Sequence, residues 1–203
     1  MTDPTTALDP SRTALLVMDY QNGIVGRLED PEALLGRMAH AITLVRKAGG
    51  HIGYVRVAFD DADFEAIPPT SRFADLVAQS GRTMHADSPA TAVHESVAPE
   101  PGDLLVRKTR VGAFSTTDLD DQLRQRGVDT LLLAGLSTSG VLLSTVRDAH
   151  DRDYRVFVVA DLSADPEPGV HDFLTERIFP RQAYVITSVE LGGLLASGDA
   201  GGS

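Results

Sequence analysis

Two ionisable side chains close apolar runs and carry the chemistry to be read first. Thr13-Ala14-Leu15-Leu16-Val17-Met18 leads without interruption to Asp19, and Leu104-Leu105-Val106-Arg107 leads to Lys108. A carboxylate and an amine half-buried at strand ends perturb each other. Their attraction favours the charged forms, while burial opposes charge on both. Such a pair titrates as a unit, and perturbed pairs in clefts are candidates for acid–base work. Read singly, Asp19 also fits a turn residue after a strand and Lys108 a solvated strand-end lysine. A third feature is the run Leu131-Leu132-Leu133-Ala134-Gly135, followed by the small, hydroxyl-rich turn Leu136-Ser137-Thr138-Ser139-Gly140-Val141 and then by helical spacing. A buried strand that feeds a helix start through such a turn gathers backbone N–H groups around a pocket. A nucleophile is expected there, and the position that would hold it is Val141, plain hydrocarbon.

The elements that must position these residues follow from periodicity. Strands are predicted at Thr13–Met18, Ile52–Phe59, Leu104–Lys108, Thr130–Ala134, Arg155–Ala160 and Ala183–Ile186. The longest of them are solid apolar runs, as in strands buried on both faces. Helical spacing runs through Leu34, Leu35, Met38, Ala41, Ile42 and Val45, opened by Pro31 with Asp30 as its cap and closed by Gly49-Gly50. Other helices are predicted at Phe73–Val77, from Thr117 to Arg126, from the central turn to about Asp153, over Val170–Ile178, and after Ser188. Residues 60–70 read as an acidic, proline-rich loop and 80–103 as irregular. Alternation of strands and helices gives an α/β fold: three αβα layers around a central, mostly parallel, Rossmann-like sheet of six strands. Residues 1–12 read as an N-terminal arm, 13–197 as a single domain and 198–203 as a flexible tail. Ligands of such sheets bind at the strands' carboxyl ends, which selects Asp19, Gln21, Phe59, Lys108 and the turn from Leu136 to Val141.

Composition excludes whole classes of function. The chain has 203 residues, a formal net charge of −11 and no cysteine. The acidity argues against nucleic acid and anionic membranes as partners, and the missing thiols exclude disulfides and thiolate nucleophiles. No apolar run approaches the ~20 residues of a spanning helix, and the start Met1-Thr2-Asp3-Pro4 lacks a signal peptide's basic and apolar segments. The expected location is therefore cytoplasmic. The six histidines are scattered and form no metal-ligand spacing.

Four segments together resemble the isochorismatase-like hydrolase superfamily, over about residues 11–197. They are Leu16-Val17-Met18-Asp19-Tyr20-Gln21-Asn22; Arg107-Lys108 with Gly112-Ala113-Phe114 and Thr117-Asp118-Leu119; the turn Ala134 to Val141 with Ser144 to Ala149; and Tyr154-Arg155-Val156 leading to Asp161-Leu162-Ser163-Ala164-Asp165. The resemblance implies an aspartate–lysine–cysteine triad in the family's amidohydrolases, with Asp19 and Lys108 in the first two places and Val141 in the third. Acyl transfer to a thiol is then unavailable. The nicotinamidase branch carries an Asp/His metal site in the loop after the second strand. Here that loop, Asp60-Asp61-Ala62-Asp63-Phe64-Glu65, has no histidine, so no metal and no cofactor are expected. Isochorismatases proper also lack the cysteine, usually with glycine in its place, and the family picture has their aspartate protonating the vinyl carbon of an enol ether. Gln21 fits the aspartate-x-glutamine pattern seen there, whereas Val141 narrows the space that glycine leaves. The resemblance also implies a cis peptide after Leu136 that helps aim amides into an oxyanion hole.

The resulting expectation is a hydrolase without a thiol nucleophile. Asp19 serves as general acid or base with Lys108, and Gln21, Phe59, Phe114, Leu136, Ser137 and Val141 bind a small anionic or carbonyl-containing substrate. The reaction is enol-ether or C–N hydrolysis. The alternative is a catalytically silent relative that binds a small molecule or serves assembly. Serine needs a general base to ionise usefully and no histidine lies in these motifs, so Thr138 and Ser139 are read as helix caps. A homodimer or homotetramer is expected, through helices after Val141 and surfaces around Phe179-Pro180.

Overall fold

A computed structural model of the chain describes residues 7–198. Six strands form one sheet in the order β3-β2-β1-β4-β5-β6: β1 Thr13–Met18, β2 His51–Val57, β3 Leu104–Lys108, β4 Thr130–Gly135, β5 Arg155–Val159 and β6 Tyr184–Ile186. Every pairing is parallel, including the central β1–β4 pair that sets Met18 opposite Gly135. Parallel neighbours need crossover helices, which cover both faces. The α-helices are α1 Asn22–Val25, α2 Pro31–Lys47, α3 Asp61–Glu65, α4 Arg72–Ser80, α5 Leu119–Gln125, α6 Leu143–Asp151, α7 Val170–Phe173 and α8 Ser188–Gly198.

Strand alternation divides the core in two. Leu15, Val17, Leu132, Ala134 and Phe157 pack on one face against the apolar stripe of α2 and against Leu191 and Leu195 of α8. Leu16, Met18, Leu131, Leu133 and Val156 pack on the other with Leu119, Leu123, Val146 and Ala149. Each such leucine, fully buried, contributes roughly 1.5–3 kcal/mol. The stripe of α2 buries Leu34, Leu35, Met38, Ala41, Ile42 and Val45, the residues its spacing singled out.

Several local expectations are corrected. The predicted loop at 60–70 contains α3, because Asp60 and Asp63 close a reciprocal capping box. Asp30 precedes α2 but makes no side-chain cap. Thr187 rather than Ser188 caps the last helix: its Oγ1 accepts from Glu190 N at 3.3 Å, and its own amide donates to Glu190 Oε2 at 2.7 Å. The helix predicted at Val170–Ile178 is α7 followed by a π-helical turn over Leu174–Ile178. The N-terminal arm is structured where it is described. Leu8 is buried and its amide donates to Leu194 O at 3.2 Å, and Pro10–Arg12 form a 3₁₀ turn capped by Asp9. Residues 1–6 and 199–203, which include most of the predicted tail, lie outside the described residues. Phe179, predicted beside an association surface, is fully buried in the second core. No helix among the described residues is long and apolar enough to cross a membrane.

Candidate active site

The carboxyl end of β1 delivers Asp19 in an unusual backbone state. Its φ is 60°, in the left-handed region where Asp and Asn are the side chains best tolerated and the cost is about 1–3 kcal/mol. Its amide is held by Val55 O of β2 at 2.8 Å. Its side chain is 7% exposed, and Oδ2 lies 3.0 Å from Nζ of Lys108, whose side chain is 3% exposed. Lys108 ends β3, the edge strand on the far side of β2, and donates also to Arg110 O at 3.2 Å. Asp19 Oδ1 is buried and has no hydrogen-bond partner among the described residues. Burial pushes the Asp19 carboxyl above the ordinary carboxylate range, against the attraction and hydrogen bond of Lys108.

The turn after β4 lies beside this pair because β4 neighbours β1. Gly135 permits the approach: a Cβ there would meet Val141 Cγ1 at 2.9 Å and Met18 Cβ at 3.2 Å. The Leu136–Ser137 peptide is cis. Ser137, and not Thr138 or Ser139, caps the π-helical turn Thr138–Leu142 that precedes α6, its Oγ accepting from Gly140 N at 3.2 Å. Thr138 N donates to Ala164 O and Leu142 N to Ser137 O, while Ser139 N donates to Asp165 Oδ2 at 2.6 Å. Ser137 and Val141 carry the remaining amides of the turn, and both residues line the cleft. Thr138 Oγ1 lies 2.8 Å from His171 Nδ1, a pairing with no signal in sequence spacing.

A cleft of about 960 Å³ unites these groups: Asp19, Lys108, Gln21, Leu136, Ser137 and Val141 all line it. Gln21 stands at its wall with its amide fully occupied. Nε2 donates to Val57 O and Thr91 O, each at 2.9 Å, and Oε1 accepts from Val57 N at 2.8 Å. It therefore clasps β2 to the loop at Thr91. Two expected ligand contacts are corrected. Phe59 is fully buried and stacks on Phe64 with centroids 5.2 Å apart, in a satellite core behind the lining residues Val57, Phe73 and Met84, and is itself outside the lining. Phe114 stacks on Tyr154 at 5.9 Å beneath the Arg152 guanidinium and also lies outside the lining. Aromatic bulk at a strand end was filled by local packing instead. Asp60 and Asp63 of the acidic loop turn to Arg107 and to their own capping box. Arg110 and Asp165 line the cleft but were not selected from sequence. Asp165 follows β5 and was open to the same carboxyl-end rule, whereas Arg110 lies two residues past its strand.

A sequence profile of the isochorismatase domain matches residues 13–190. The chain belongs to the isochorismatase family. It is 34% identical over 177 residues to the isochorismatase family protein YwoC of Bacillus subtilis (strain 168), covering 87% of this chain and 90% of that protein. It is 31% identical over 182 residues to the ureidoacrylate amidohydrolase RutB of Methylobacterium radiotolerans, covering 80% and 70% respectively. Among solved structures, a cysteine hydrolase from Pseudomonas syringae pv. phaseolicola 1448A superposes with a TM-score of 0.82 at 26% identity, over 98% of this chain and 100% of that one. This family member has no cysteine anywhere in its sequence.

Proposed function

We propose that this isochorismatase-family chain hydrolyses a small anionic or carbonyl-containing substrate without a thiol, with Asp19 as general acid and base. The observation that carries the reading is the unpartnered Asp19 Oδ1: a buried carboxyl oxygen at a cleft, its twin held 3.0 Å from Lys108 Nζ. A buried acceptor without a partner costs about 1–3 kcal/mol or more, a cost that a substrate or an attacking water offsets. On an enol ether, Asp19 gives its proton to the vinyl carbon. Water adds to the resulting oxocarbenium carbon and returns a proton to Asp19, and the hemiketal collapses to a ketone and an alcohol. On a C–N substrate, Asp19 takes the proton of attacking water and delivers it to the leaving nitrogen. On the C–N branch the amides of Ser137 and Val141 suit the carbonyl oxygen, which gains negative charge as water attacks. The amidohydrolase relative supports the C–N branch.

The measurement is turnover of a panel of small enol ethers and amides. Wild type is expected to turn over a member of the panel, with Asp19→Asn lowering kcat by about 100-fold or more. A second reading, a silent binding member, is favoured by Val141, which lines the cleft where a thiol would act. No turnover by wild type, with amidase activity appearing in Val141→Cys, decides for that reading.

A further inference from the structure

The cleft's cations are not equivalent. Lys108 is paired with Asp19 at 3.0 Å, and Arg37 lies 3.8 Å from Asp161 and donates to its carbonyl. Arg27 is exposed at the mouth. Arg110 differs from all of these: it is half-buried, lines the cleft, and pairs with no carboxylate among the described residues. Its guanidinium lies 5.6 Å from the centroid of Phe73, another lining residue, and spends one donor on Thr109 O at 2.6 Å. A guanidinium presents five N–H donors in a planar fork, so most of this one is uncommitted. Stacking on an aromatic ring fixes its plane and leaves its edge for a planar oxyanion. Its own carbonyl accepts from Lys108 Nζ at 3.2 Å, which ties the arginine's backbone to the acid–base pair.

Resting on the hydrolase reading of this cleft, we infer that Arg110 is the specificity-determining residue that selects a monocarboxylate substrate. Charge matching supports a monoanion. One half-buried cation lacks a counter-charge, while Asp165, which also lines the cleft, spends its oxygens on the Ser139 and Glu167 amides and offers no cation to a second anionic group. Arg110 grips the carboxylate by two parallel N–H···O bonds and holds the scissile bond towards Asp19.

The test is binding without turnover, by calorimetry on the full chain with benzoate and its neutral isostere benzamide. Wild type is expected to bind benzoate about tenfold or more tightly than benzamide, in line with a charge-assisted, two-point contact. Arg110→Gln removes that preference. Arg110→Lys, which keeps the charge but loses the fork, retains part of it, and circular dichroism verifies that both variants are folded. Equal or absent binding of the two probes by wild type overturns the inference, as does a preference that survives in Arg110→Gln. Failure here is separable from failure of the hydrolase reading. A chain that prefers benzoate yet hydrolyses nothing keeps the carboxylate site, and one that hydrolyses amides without the preference loses only that site.

Discussion

Asp19 combines a strained backbone with a buried, half-satisfied carboxyl, and the two properties have separate consequences. The φ of 60° makes Asn and Gly its tolerated replacements, so Asp19→Asn changes acidity without changing backbone preference. The ionisation has a definite sign. Burial raises the native pKa of Asp19, with Lys108 opposing. The unfolded chain therefore releases this proton first, near the ordinary value of about 3.9. Stability is lost as pH rises from there through the raised native pKa. Lys108→Met removes the opposing charge and pushes the carboxyl further up. That variant is expected to lose stability increasingly with rising pH, whereas Asp19→Asn/Lys108→Met regains part of the loss. Urea melts across pH on the variants measure this. A pH-independent cost for Lys108→Met would contradict a charged pair. As general acid, Asp19 also predicts that kcat/KM on an enol ether falls as pH rises through the same raised pKa.

At the scale of elements, the turn after β4 is a packing device as much as a chemical one. Gly135 lies where a Cβ would come within 2.9 Å of Val141 Cγ1. Gly135→Ala is expected to destabilise by about 1–3 kcal/mol through overpacking. Val141→Ala in the same chain relieves the clash, so the pair is non-additive in chemical denaturation. Additive losses would show that Val141 does not press on the glycine. The strands and α2 were legible because solid apolar runs and a clean helical stripe need only local periodicity. The Asp19–Lys108 pair was legible because parallel sheets collect strand carboxyl ends. What was not legible depended on partners distant in sequence. Asp165 holding the Ser139 amide, Gln21 spending its amide on Val57 and Thr91, and Phe114 turning to Tyr154 are contacts between segments that no spacing rule connects.

Across the whole molecule, the first described residues and the last helix close the fold together. Leu8 is 1% exposed within the core under α2 and α8, and its amide bonds Leu194 O. Leu8→Ala is expected to cost about 2–5 kcal/mol, read as a lowered denaturation midpoint; a change within error would place Leu8 outside the cooperative core. The sheet order has another effect. Asp19 and the Ser137 turn hang from its two innermost strands, but Lys108 hangs from β3, a border strand with a single neighbour and with Leu105 63% exposed. Border strands open at lower free energy than the centre. Under mild denaturant, β3 amides should therefore exchange with deuterium ahead of those in β1 and β4. Ligand affinity should fade while the far-ultraviolet signal is still intact, since the amine leaves the cleft by fraying long before the acid does.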